Sequence, residues 1–312
     1  MPRQRYAALL TVLCTVIAMC SCSTVQQTDV SPLTCPSGEI VGWGDSLTLS
    51  MISTNGGVPR QADPTWLDTL GDELNVHTEN FGVSAHGSAE IAVRQGGLKP
   101  LLTLDGNQIA PFSRSAIAVR AIIPADGWTR YGNAQEIAEV HGTLAGVAGT
   151  LRHSLPLRGS ERFSFIPDVA PTSVVLVPAN STFSSDDGDR YRGCFQIIWA
   201  GTNNRDETAA IERDIDSMVR RIANPKRYLV VGTIQAVEDQ LSAAYGRRFT
   251  DLRGWLISDG LAAAGVTATP TDIAAVRAGR IPPSLLSDEI HFTQAAYTAI
   301  GHHLASIIKI LR

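Results

Sequence analysis

Glu39-Ile-Val-Gly-Trp-Gly-Asp-Ser-Leu47 begins as a short apolar run and breaks off at Gly-Asp-Ser, the pattern of a buried strand feeding a turn. Downstream, Trp66, Leu67, Leu70 and Leu74 recur at helical spacing. Val76–Phe81 reads as a second strand, and Ser88–Gln95 as a short helix with Ser88 as its N-cap. The same alternation returns late in the chain. Phe195-Gln-Ile-Ile-Trp-Ala200 and Tyr228–Thr233 read as strands. Thr208–Ala223, Val237–Tyr245, Leu252–Ala264 and Thr293–Leu311 read as helices. Strands alternating with helices imply a parallel sheet covered on both faces.

Between these halves the texture changes. From Gly97 to Gly193 the chain is rich in β-branched runs, such as Ser115–Ile123 and Ser173–Val177, broken by Gly, Pro, Asp and Ser clusters. Helical periodicity nearly vanishes, so residues 97–193 are expected to form an inserted β-rich module. There is no internal repeat. Residues 38–96 and 194–312 then make up one α/β domain.

The N-terminus reads as a targeting segment. Arg3 and Arg5 precede an apolar run from Ala7 to Ala18, with small residues Ser21 and Cys22 at its end. That run is too short to span a bilayer, so residues 1–22 are read as a signal peptide and 23–37 as a tether. A cysteine directly after the apolar run resembles a bacterial lipoprotein signal, which implies Cys22 as a lipid anchor at the membrane. Met19-Cys20-Ser21 departs from the usual lead-in, and simple secretion is the alternative. The formal charge of −4 becomes −6 once Arg3 and Arg5 are removed. Such a chain has no basic field to gather nucleic acid. Of five cysteines, Cys14, Cys20 and Cys22 belong to the signal region, leaving Cys35 and Cys194. In an oxidising compartment that pair is a candidate disulfide; two separate buried thiols are the alternative.

Four stretches carry chemistry. Gly44-Asp45-Ser46 stands at the C-terminal end of the first strand, where open α/β sheets bind ligands. Asp288-Glu-Ile-His291 lies in a loop before the last helix. Its spacing lets the carboxylate receive one ring N–H while the other nitrogen faces a serine, and a serine needs such a base. Gly201-Thr-Asn203-Asn204 follows a strand and offers an amide donor for an oxyanion. Asn80-Phe-Gly82-Val-Ser84-Ala85-His86-Gly87-Ser88 joins a strand to a helix start, where backbone N–H groups favour anions. His86 is also considered as a substrate contact.

Other motifs are read as ordinary structure. Asp186-Asp187-Gly188-Asp189 lacks the rest of a calcium loop and reads as a solvated turn. His302-His303 reads as part of the last helix. No zinc spacing, P-loop or dinucleotide fingerprint occurs, so no cofactor and no metal is expected.

In order and placement the four stretches resemble the SGNH (GDSL-type) hydrolase family. Ser46 matches its nucleophile, Asn203 its oxyanion asparagine, and Asp288 and His291 its Asp-x-x-His pair. Ile91-Ala-Val-Arg94-Gln95-Gly96 resembles a run found after the second block in some members. The resemblance implies a flavodoxin-like three-layer α/β/α sandwich, and it leaves the β-rich insert uncovered. It also implies that the strands after Cys35 and from Cys194 are neighbours, with both cysteines at their N-terminal ends. One position departs: the family's oxyanion glycine falls on Ala85, which would be strained if its φ were positive. Gly82 and Gly87 are the alternative donors. The serine lies outside any Gly-x-Ser-x-Gly elbow, which argues against an α/β-hydrolase.

The expectation is therefore an exported serine esterase. Ser46, His291 and Asp288 act, and Asn203, Ala85 and Ser46 form the oxyanion hole. The expected substrate is an acylated carbohydrate of envelope or extracellular polysaccharide, carrying acetyl or another short acyl group. A lipase, phospholipase or thioesterase is the enzymatic alternative. A non-catalytic glycan binder on the same scaffold is the alternative from another class.

Overall fold

The computed structural model describes residues 35, 39–53, 58–128, 137–154, 162–185 and 188–311. The chain divides into Met1–Ser31 and Pro32–Arg312, and every described residue belongs to the second unit. The expected signal segment with Cys22, and all of the tether but Cys35, lie outside the described residues, as do Asp186 and Asp187.

In chain order the first elements are β1 (Ile40–Gly44), α1 (Ser46–Leu49), α2 (Trp66–Leu74), β2 (Thr78–Gly82) and α3 (Ser88–Gln95). Then come β3 (Leu101–Leu104), β4 (Ile117–Ile123), β5 (Ile137–Leu144), β6 (Val147–Ser154), β7 (Arg162–Pro167) and β8 (Ser181–Ser184). The last part holds β9 (Phe195–Trp199), α4 (Thr208–Arg221), β10 (Tyr228–Gly232), α5 (Glu238–Tyr245), β11 (Phe249–Asp251), α6 (Leu252–Ser258), α7 (Pro270–Arg277) and α8 (Gln294–Leu311).

Five strands form a parallel sheet in the order β11-β10-β9-β1-β2. Side chains alternate across a strand, so β1 feeds two cores. Ile40 joins Trp66, Leu67 and Leu70 of α2 and Tyr297, Ile300 and Leu304 of α8. Val41 and Trp43 join Ile91 and Ala92 of α3 and Ile211 and Ile215 of α4. The register pairs Gly44 with both Trp199 and Gly82, so β1, β9 and β2 end level and their exit loops converge.

The inserted strands close into an antiparallel barrel, ordered β7-β4-β3-β8-β5-β6. Leu102, Leu104, Val140, Leu151, Phe165 and Phe183 are buried in its core. The barrel is fixed to α3: His153 Nδ1 lies 2.8 Å from Glu90 Oε1, and both side chains are buried. Next to it, Ala89 N–H donates to Gly127 O at 2.9 Å.

Three local readings need correction. The N-cap of α3 is Gly87, with Ser88 its first helical residue. Ser88's hydroxyl is committed sideways, donating to Asp214 at 2.6 Å. The helix expected over Leu252–Ala264 ends at Ser258, and Asp259 (φ −121°) separates it from a further turn. The α7 helix was not anticipated. Among the described residues no helix is long and apolar enough to cross a membrane.

Candidate active site

Ser46 is the first residue of α1, separated from the end of β1 by Asp45 alone. The turn between them needs Gly44, because a Cβ there would lie 1.9 Å from Thr48 Oγ1 and 2.4 Å from Trp199 O. Asp45 caps α1 by accepting the Leu47 N–H at 2.9 Å. Burial pushes the Asp45 carboxyl up to about 6, against the opposing pull of the Leu47 N–H, the Thr202 hydroxyl and the His291 charge. Trp66 Nε1–H donates to Leu47 O at 3.1 Å and holds the turn from the α2 side.

The other half of the site comes from the loop before α8. Ser287 N–H donates to His291 O at 2.8 Å, and Leu286 pairs with Phe292, which closes the loop on itself. Within it Asp288 Oδ1 accepts the N–H groups of Ile290 (2.7 Å) and His291 (2.6 Å). Its other oxygen lies 2.8 Å from His291 Nδ1. Partial burial raises the Asp288 carboxyl, but hydrogen bonds from the His291 side chain and the backbone outweigh it, and the net shift is downward. His291 Nε2 is 2.9 Å from Ser46 Oγ. A ring proton on Nδ1, facing the carboxylate, leaves Nε2 to accept from the serine hydroxyl.

Asn203 stands in a one-turn 3₁₀ helix after β9. Its amide donates to His86 O at 3.0 Å, tying the β9 loop to the β2 loop. An amide NH₂ carries two hydrogens, so one remains for a second acceptor. Ala85 lies in the β2 loop with φ 64°, in the left-handed region. The strain expected of Ala85 at a positive φ is therefore present. Of the alternative donors, Gly82 ends β2 and Gly87 caps α3 with φ −76°.

His86 is turned into the protein. It is 2% exposed, and its Nδ1 accepts from Arg94 Nε at 3.0 Å. Burial first, then the charges of Arg94 and His153, hold it well below the ordinary histidine value, so the ring is neutral. Arg94 also donates to Phe81 O (2.8 Å) and Gly44 O (3.0 Å), gathering the ends of β2 and β1. Asn204 accepts Ser88 N–H at 2.9 Å and donates to Ser88 Oγ at 3.0 Å. Asp45, Arg94 and Asn204 thus position the loops; none was singled out from sequence, although each flanks or sits within a quoted motif.

The remaining candidates lie elsewhere. His302 pairs with Glu73 at 3.3 Å, and His303 stacks on Trp255 with ring centroids 4.0 Å apart. Cys35 and Cys194 are joined in a disulfide, with Cα atoms 4.6 Å apart, at the pole of the sheet opposite Ser46. At that same pole Glu39, His77 and Glu79 place ligand-type atoms within 4.8 Å of one another, a cluster remote from Ser46.

The arrangement can deprotonate a serine and hold a developing oxyanion near Asn203. Compared with known proteins, the chain matches no family model, no curated protein and no solved structure.

Proposed function

We propose that this protein is a serine ester hydrolase of the SGNH kind, built on a flavodoxin-like three-layer sandwich. Numbered within the sheet alone, the strand order is 2-1-3-4-5, which supports the flavodoxin-like reading. The observation that carries the activity is the chain Ser46 Oγ–His291 Nε2 (2.9 Å), His291 Nδ1–Asp288 Oδ2 (2.8 Å).

In the proposed reaction Ser46 Oγ attacks the ester carbonyl carbon as His291 Nε2 takes its proton. Asp288 keeps the ring oriented and stabilises the imidazolium. The tetrahedral oxyanion is held by the Ser46 and Ala85 N–H groups and the Asn203 amide. His291 then protonates the leaving alcohol, and a water, deprotonated by the same ring, hydrolyses the acyl-enzyme. No cofactor enters this scheme.

The proposed substrate is an acylated envelope or extracellular polysaccharide. That rests on the export signal, with Cys22 lipidated at the cell surface or the chain simply secreted, and on the barrel as a glycan-facing module. Hydrolysis of p-nitrophenyl acetate by purified mature protein tests the activity. Ser46→Ala and His291→Ala should each reduce kcat by about 10⁴-fold or more, since the residues act as a unit. A Ser46→Ala protein that keeps a tenth of the rate overturns the assignment and leaves a glycan binder without catalysis.

A further inference from the structure

An open cleft of about 700 Å³ adjoins the candidate triad. Leu47, Thr202 and Ile290 line it, and these residues adjoin Ser46, Asn203 and His291 in sequence. Buried Leu47, Ala275 and Phe292 form its floor, and half-buried Ile234, Ile281 and Leu286 its sides. One wall is α7, whose exposed Ala274 and its C-cap Ala278 turn small side chains toward the opening.

That wall is anchored at both ends. Asp272 accepts from the Thr269 hydroxyl at 2.6 Å and from Ser284 N–H at 2.9 Å, fixing the start of α7 to the segment that leads to Asp288. Arg253 donates to Gly279 O at 2.7 Å and to Gln235 Oε1 at 3.1 Å, and pairs with Glu238 at 3.5 Å. Its charge is spent on the wall. Arg205 donates to Thr202 O at 3.3 Å. Arg280 and Glu289, both exposed and of opposite sign, complete the charged lining. The charged lining is three arginines and one glutamate, with Arg253 held by Glu238, and the floor beneath it is apolar, which favours aliphatic surface there.

We infer that this cleft receives an aliphatic arm of the ester whose carbonyl sits at Ser46, and that the preferred substrate carries a medium-length chain on its acyl or its alcohol side. The inference rests on the serine hydrolase reading and narrows its substrate class. A volume of this size buries a ligand far larger than an acetyl group and has room for an arm of roughly eight carbons. The arm is the acyl chain or the alcohol chain, and two ester series separate these.

The mature protein is assayed on p-nitrophenyl acetate, butyrate, octanoate and decanoate, and on acetate esters of ethanol, butanol and octanol followed by acid release. In one series kcat/KM should climb by up to about fourfold per added methylene until roughly eight carbons. The series that climbs identifies the arm. Ala274→Trp and Ala278→Trp fill the cleft from an exposed wall and should lower the long-to-acetate ratio by about tenfold or more, with melting curves confirming folded protein. Acetate turnover that needs Ser46, with no climb in either series and ratios unmoved by both variants, overturns the cleft and spares the hydrolase reading. If no ester is turned over, that reading fails. The ester arm then falls with it, and titration of Ser46→Ala protein with decanoate decides the cleft alone: saturable binding weakened by both tryptophan variants keeps it as an aliphatic site, and absent binding overturns that too.

Discussion

Ala85, at φ 64°, occupies a conformation in which the Cβ crowds the following carbonyl oxygen, at a cost of roughly 1–2 kcal/mol. Glycine would relieve this and lose some of the gain to its greater freedom in the unfolded chain, about 0.5–1 kcal/mol. Ala85→Gly should therefore raise stability by up to about 1 kcal/mol, and Tm by about 2–4 °C for a chain of this size. A lowered melting temperature would mean that the loop is not strained there. Asn203 makes a different kind of contribution. Its hydrogen bond to His86 O exists before any substrate arrives, whereas in the proposed reaction its second amide hydrogen serves a charge that forms only in the transition state. Asn203→Ala should lower kcat by about 10²–10³ with little change in KM. Steady-state kinetics check this, and a KM-only effect would reassign Asn203 to holding the loop.

At the scale of elements, α1 is only four residues long and depends on its cap. The cap, Asp45, is fully buried and ionises near 6, above the 3.8 of an unburied aspartate. A carboxyl raised on folding binds its proton more tightly in the native state, so stability grows as pH falls from about 6 toward 3.8. Above 6 the ionised group sits buried at a cost on the order of 2–3 kcal/mol. Asp214, pushed up to about 6 chiefly by burial, adds in the same direction. Asp45→Asn keeps an oxygen for the Leu47 N–H and removes the charge. It should stabilise the fold at pH 7.5 and flatten the rise in stability between about pH 6 and 4, as read by urea denaturation. A variant that is less stable at pH 7.5 would show that the ionised form is favoured by its surroundings. Much at this scale was legible in sequence: β1 from its apolar run, α2 from its spacing, the Asp288–His291 loop from its place before α8. The α7 helix was not read, although Thr269, Pro270 and Asp272 spell a capping box with proline at the first turn. Its weakly amphipathic alanine-rich sequence hid it. Ser88 was misplaced by one residue because its hydroxyl serves Asp214, across on α4, and no local rule shows a long-range partner.

On the scale of the whole molecule, the barrel shows where local reading stops. Its strands are visible as β-branched runs, but closure depends on pairs such as Leu102 with Ser181, nearly eighty residues apart, which periodicity does not reveal. Cys35 and Cys194 are a long-range pair of another kind, 159 residues apart, and their bond encloses β1, α1 to α3 and the whole barrel in one loop. Cys194 directly precedes Phe195 at the start of β9, and β9 lies beside β1 in the sheet. The bond thus fastens the chain entering β1 to the sheet at the end opposite Ser46. Cross-linking so long a loop restricts the unfolded chain, and the loop-entropy relation gives roughly 5 kcal/mol as an upper guide. Losses of 2–5 kcal/mol are usual when a native disulfide is removed, and for a chain of this size each kcal/mol moves Tm by about 2–4 °C. Cys194→Ser should accordingly melt about 5–15 °C lower, with Cys35→Ser behaving alike and the double variant no worse than the worse single one. Because the bond lies at the far pole, kcat measured well below the lowered Tm should stay within about twofold of the parent, the spread expected when distant sites act independently. Thiol titration of unreduced, denatured mature protein should find Cys35 and Cys194 both blocked. Two free thiols, or an additive loss in the double variant, would mean that each cysteine stabilises the fold by packing alone.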